Sequence, residues 1–180
     1  MPRAVAIIGS PAEGRTGTLV DAVLAGARQE FDCSVDRYVL GEESLARVVD
    51  RLDGADLFVL GTPMYRATYS GLLKTLLDQT PRGLHEAGPA PLRARPVAVV
   101  GTGASMHHFL GIDPLLALLI RFFSAYVVPP ALYADHASFA DDGSAVADVY
   151  EQGIALGRTA AALAAAIGAS DVLGGTVPQV

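Results

Sequence analysis

Two short stretches of this sequence concentrate groups that can hold a ligand. The first is Gly9-Ser10-Pro11-Ala12-Glu13-Gly14-Arg15-Thr16-Gly17-Thr18. It offers hydroxyls at Ser10, Thr16 and Thr18, a guanidinium at Arg15, and the free N–H groups of a helix start. Together these suit a phosphate monoester, because a helix N-terminus presents unpaired donors and positive potential. No Gly-Lys-Ser/Thr follows and no GxGxxG is present, which disfavours a nucleoside triphosphate or a wrapped dinucleotide. The same residues also read as an ordinary Ser/Thr-capped helix start.

The second stretch runs from Gly61 to Asp78: Gly-Thr-Pro-Met-Tyr-Arg-Ala-Thr-Tyr-Ser-Gly-Leu-Leu-Lys-Thr-Leu-Leu-Asp. Pro63 stiffens the exit from a strand, and Tyr65 and Tyr69 can stack on a flat ring. Ser70 can cap the following helix, and Gly71 permits close approach. Lys74, the single lysine of the chain, falls on that helix. The loop suits a planar heteroaromatic held by backbone amides; a surface loop with two half-buried tyrosines has the same composition.

The elements that would position these stretches alternate along the chain. Residues 4–8, 56–60 and 96–100 are short continuous apolar runs, the pattern of strands covered on both faces. Two of these runs meet Gly9 and Gly61, and the third meets Gly101. Further strands are expected at 33–39 and 131–134. Helical spacing marks 17–30, 43–53, 70–79, much of 104–126, and 144–167. Strands alternating with helices imply a parallel sheet with right-handed crossovers and ligands at the carboxyl ends of the strands. The expected fold is an α/β three-layer sandwich with a five-stranded parallel sheet of order 2-1-3-4-5, as in flavodoxin. A single domain over residues 1–180 is expected, with 168–180 a loose tail.

Composition narrows the function. The chain has 180 residues, of which 51% are hydrophobic and 18% charged. It carries 13 basic and 19 acidic residues, a net charge of −6, which argues against nucleic acid or a polybasic membrane patch as partner. Cys33 is the one cysteine, so no intrachain disulfide or cysteine-based zinc site can form. It reads as a small buried hydrophobe. His107 and His108 are adjacent and point about 100° apart on a helix, too divergent to chelate one ion. His85 and His136 have no partner at ligand spacing, and Asp135, Asp141 and Asp142 lack the spacing of a calcium loop. No metal site is expected. The N-terminal apolar run is too short for a signal peptide, and the apolar stretch 109–128 contains Asp113, Pro114 and Arg121, where a bilayer wants roughly 20 cleaner residues. The expected compartment is the cytoplasm.

The pattern Thr-Pro-x-Tyr-x-x-x-Tyr-Ser-Gly-x-Leu-Lys-x-x-Leu-Asp resembles the signature of the NADPH-dependent FMN reductase family, in particular the branch that supplies reduced flavin to alkanesulfonate monooxygenases. The resemblance takes in Gly9 to Thr18, Gly101 to Ser105, and His108-Phe109-Leu110 with Asp113, and covers roughly residues 4–134. It implies FMN at the strand ends and NADPH or NADH as hydride donor. It implies that Ser10, Arg15, Thr16 and Thr18 hold the phosphate. Pro63, Met64, Tyr65 and Arg66 would line the isoalloxazine edge, and Thr102, Gly103, Ala104 and Ser105 would close its other side. No acid–base pair or nucleophile is required, because the flavin carries the hydride. Reduced flavin, or electrons, would pass to a flavin-dependent monooxygenase, a quinone or an azo compound. The alternatives are an FMN-binding quinone- or azo-type reductase with tightly held flavin, and a non-enzymatic flavodoxin-type electron carrier.

The chain departs from that branch after Asp113, where Pro114 stands in place of an inserted aromatic or histidine. A helix starting at 114 with Asp113 as its cap is expected. The departure favours FMN as a bound cofactor over a shuttled one. The helix 115–128 is apolar on nearly all sides, which predicts burial in a large core or in a homodimer or homotetramer.

Overall fold

The computed structural model describes residues 1–30, 32–83 and 88–178; His85 lies outside them. Strand β1 (Arg3–Ile8) lies between β2 (Ser34–Val39), at one edge of the sheet, and β3 (Leu57–Tyr65), at its centre. β3 folds back into a two-residue strand, β4 (Thr68–Tyr69), and on its other side pairs with β5 (Pro96–Thr102). The outermost strand comes in two pieces. β6 (Tyr126–Val127) pairs with the start of β5 and β7 (Leu132–Ala134) with its end, and Pro129 and Pro130 lie between them. Every pairing except β3 with β4 is parallel. With the edge strand counted once and the hairpin set aside, the order is the expected 2-1-3-4-5.

Helices cover both faces, which is why the strands need no polar alternation. On one face α1 (Gly14–Glu30) and α5 (Ala147–Gly168) bury Leu19, Val20, Val23, Leu156 and Ala160 against Ala6, Ile8, Val59 and Val100. The two helices meet backbone to backbone. A Cβ added at Gly26 would overlap the Ile154 carbonyl, and one at Gly157 would overlap the Val23 carbonyl. On the other face α2 (Leu45–Val49), α3 (Gly71–Gln79) and α4 (Asp113–Phe123) bury Val48, Leu73, Leu76, Leu115 and Leu119 against Val5, Ile7, Phe58 and Val99.

The expected helical region 104–126 has two parts. Met106–Ile112 is a 3₁₀ segment that runs directly into α4. Pro114 sits in the first turn, where its missing N–H costs nothing. Asp113 is not the cap that the sequence suggests: it is already helical, and Ile112 holds the cap position. The stretch Met106–Phe123 is long and apolar enough to cross a membrane by length and composition. Here Ile112, Leu115, Leu119 and Phe123 pack onto the sheet, while Leu110, Ile120 and Phe122 remain exposed. Cys33 is buried just before β2, and burial pushes its thiol up.

The C-terminal segment differs from the expected loose tail. A short helix α6 (Asp171–Gly174) follows α5, and the Tyr126 hydroxyl donates to the Leu173 carbonyl at 3.1 Å and pairs with Thr176 Oγ1 at 2.6 Å.

Candidate functional site

Three loops leave the carboxyl edge of the sheet side by side, and their spacing is set by close backbone approach. Gly9 N donates to Gly61 O at 2.7 Å, and a Cβ on Gly9 would stand 2.8 Å from Leu73 Cβ. A Cβ on Gly61 would stand 2.6 Å from Val20 Cγ2. These two glycines let the first loop lie flat against the end of β3. The expected close approach at Gly71 is absent, since a Cβ there would meet nothing within 4 Å.

Ser70 joins the first two loops. It caps α3 by accepting from Leu73 N at 3.1 Å, its own N–H donates to Thr62 Oγ1 at 2.9 Å, and its hydroxyl donates to Gly9 O. Thr16 and Thr102 join the first loop to the third, their hydroxyls 2.7 Å apart in a buried pair. Tyr133 holds the third loop from the edge strand. Its hydroxyl donates to Ser105 O at 2.8 Å, and the residue packs so close that a Cβ on Gly103 would overlap it. Burial, with Asp135 nearby, pushes that phenol up from its ordinary range.

Between these loops lies a cavity of about 410 Å³ lined by Arg15, Pro63, Met64, Tyr65, Thr102, Gly103, Ala104 and His136. Seven of these eight are residues named from the sequence. The other five are placed elsewhere. Thr16 faces Thr102. Ser10 is buried with its hydroxyl donating to Ala12 O. Thr18 leans on the Gly143 carbonyl at 3.3 Å. Ser105 is held through its carbonyl, and Arg66 is exposed at the tip of the β3–β4 hairpin. Lys74 is exposed on α3 and pairs with Asp78 one turn on, away from the cavity.

The hairpin itself is absent from the sequence reading. Arg66 and Ala67 have φ of 51° and 61°, a two-residue turn with both residues left-handed. No Asn-Gly or Asp-Gly marks it. It is held by the 3₁₀ segment, which packs so close that a Cβ at Gly111 would overlap the Ala67 carbonyl. His136 is also new to the site. Its Nδ1 accepts from the Arg15 guanidinium, which lies 5.4 Å from the centre of the Phe139 ring. Isolated in sequence, His136 gave no signal beyond its position shortly after the last strand.

A cation, a helix N-terminus, a tyrosine and glycine backbone converge at the carboxyl ends of a 2-1-3-4-5 sheet, which defines a flavodoxin-like α/β protein with its candidate site where such sheets bind ligands. The model of the NADPH-dependent FMN reductase family matches residues 2–139, and the chain belongs to that family. Over 88 residues it is 41% identical to an NADH-dependent FMN reductase, SfnF, of Pseudomonas putida, covering 49% of this chain and 44% of that one. Over 95 residues it is 36% identical to an NADPH-using FMN reductase of Pseudomonas aeruginosa, covering 53% of this chain and 47% of that one. The chain thus spans less than half the length of these two curated relatives. The crystal structure of an NADH:FMN oxidoreductase, EMOB, in its apo form shares the fold, with TM-score 0.75 and 22% identity over 96% of this chain and 94% of that one.

Proposed function

We propose that this chain is an NAD(P)H-dependent FMN reductase. The observation that carries the reading is the cavity beside the α1 N-terminus, with Arg15 on one wall and Pro63 to Tyr65 and Thr102 to Ala104 on the others. The donor set fits FMN: Arg15 and the helix N–H groups suit a dianionic phosphate, and Pro63, Met64 and Tyr65 face the backbone of Gly103 and Ala104 across a space for a flat ring. Held there, FMN would supply the redox chemistry, its N5 being the acceptor for hydride from NADH or NADPH.

The chain's own part is binding and orientation of the cofactor. Arg15 and the N-terminal amides of α1 take the phosphate. Met64 and Tyr65 bound one edge of the ring, and Thr102 to Ala104 the other. Tyr65 is exposed enough (52%) to shift over an incoming ring. Ser10, Thr16, Thr18, Arg66 and Ser105 retain the roles that the family resemblance implies only if the loops close around the ligand. Thr16 must then divide its hydroxyl between Thr102 and the phosphate.

The reading extends to delivery of reduced flavin or electrons to a partner monooxygenase or a small quinone or azo acceptor. It also extends to assembly as a homodimer or homotetramer through the exposed apolar side of α4, and to a cytoplasmic setting in which the free Cys33 stays reduced. The test is to mix protein, FMN and either NADPH or NADH and follow the nicotinamide absorbance. Oxidation above the flavin-only blank supports the reading, and none with either donor overturns it. Light scattering at micromolar concentration tests the assembly, with a mass of one chain against it.

A further inference from the structure

The loop that would take the phosphate carries a negative charge of its own. Glu13 stands immediately before α1, where a loose carboxylate would compete with an anionic ligand for the same donors. The structure turns it away. Both Glu13 oxygens accept from the guanidinium of Arg37, which projects from β2. Arg37 is fixed in turn by Asp21 on α1, Nε to Oδ1 at 3.0 Å.

The pair crosses α1 at a gap in its surface. A Cβ on Gly17 would stand 2.7 Å from Glu13 Oε2 and 3.1 Å from Arg37 Nη2, so any larger residue would push the two apart. The hydrogen bonds from Arg37 hold the Glu13 carboxyl below the usual glutamate range. Arg15, two residues on, goes the other way and lines the cavity beside His136. The charges of a single loop are thus sorted, with the carboxylate toward β2 at one edge of the sheet and the guanidinium over β3, β5 and β7.

We infer that Arg37 is a positioning residue for phosphate binding: by drawing the Glu13 carboxylate onto β2, it leaves Arg15 and the α1 N-terminus free for the dianion. This role holds only where the cavity takes FMN, as proposed above.

The test compares Arg37→Met with the wild-type chain by flavin fluorescence quenching at low salt, using FMN and riboflavin, which has the ring without the phosphate. FMN affinity falls about tenfold, the effect of one unit charge left near the phosphate, while riboflavin affinity stays within about twofold. Adding Glu13→Gln to Arg37→Met recovers most of the loss, which a purely structural role for Arg37 would not allow. Raising the salt shrinks the difference. Should Arg37→Met fail to fold by circular dichroism, Arg37→Lys carries the test: it keeps the charge but not the two-oxygen grip, and gives a smaller, phosphate-specific loss. An unchanged FMN affinity, an equal loss for riboflavin, or no recovery in the double variant overturns the role. A wild-type chain that binds neither flavin overturns the FMN reading instead, and the role with it.

Discussion

The two faces of the sheet are closed by different means. Under α1 and α5 the helices touch through glycines, so the contact is backbone on backbone and leaves no room for added atoms. Under α4 the contact is made by a few large side chains, Leu115, Leu119 and Phe123, and the opposite side of the helix shows Ile120 and Phe122 to solvent. A small-residue helix looks weakly hydrophobic and is locked in place, whereas a strongly hydrophobic helix is only half used. Apolar content measures how much a segment can bury, and the size of its residues measures how close its neighbour stands.

Substitutions can break this comparison. Gly157→Leu drives a side chain into the Val23 carbonyl and should cost about 3 kcal/mol or more, read from urea unfolding. A cost under about 1 kcal/mol would mean the helices can separate, and the contrast would fail. Leu119→Ala, at a fully buried position, should cost about 3 kcal/mol. One position on, Ile120→Ala should cost less than about 0.5 kcal/mol in the isolated chain, since Ile120 is 52% exposed. If Ile120→Ala is as damaging as Leu119→Ala, the outer side of α4 is covered in solution, and Ile120→Glu should then lower the mass seen by light scattering.

The smallest effect concerns Glu13, on the α1 side. Its folded carboxyl titrates below its unfolded one because Arg37 donates to the ionised form. Its contribution is therefore complete above the unfolded glutamate range, about pH 4.3, and is lost as pH falls through the lower folded value. Glu13→Gln should be slightly less stable than wild type at pH 7, and the gap should close in acid unfolding followed by circular dichroism. A gap that persists at low pH would show that shape, not charge, holds the loop. The pair is exposed, so the effect is small.

The sheet order was legible from local signals, continuous apolar runs and strand-ending glycines. Of the seven residues that reach the cavity, Arg15, Pro63 and Tyr65 stood out by their own chemistry, and Met64, Thr102, Gly103 and Ala104 came only through the family resemblance. What escaped depends on distant parts of the chain. The β3–β4 turn uses Arg66 and Ala67 at positive φ, which costs energy locally and survives because the 3₁₀ segment packs against it at Gly111. His136 reaches Arg15 only because β7 ends beside β5. Thr18 had the right chemistry, but its hydroxyl leans on the Gly143 carbonyl. Asp113 precedes a proline, as caps often do, yet the 3₁₀ segment feeds straight into α4 and leaves no break to cap.

The division of the edge strand at Pro129 and Pro130 has a consequence for the molecule among its neighbours. An open sheet edge is a template on which another chain can add a strand, and proline cannot donate to such a ladder. With two prolines in the middle, and Tyr126 tying Leu173 and Thr176 across the first half, only the three residues of β7 are left at that edge with regular strand geometry. That edge is thereby a poor template for an added strand, and β2 is left as the longer edge of the sheet.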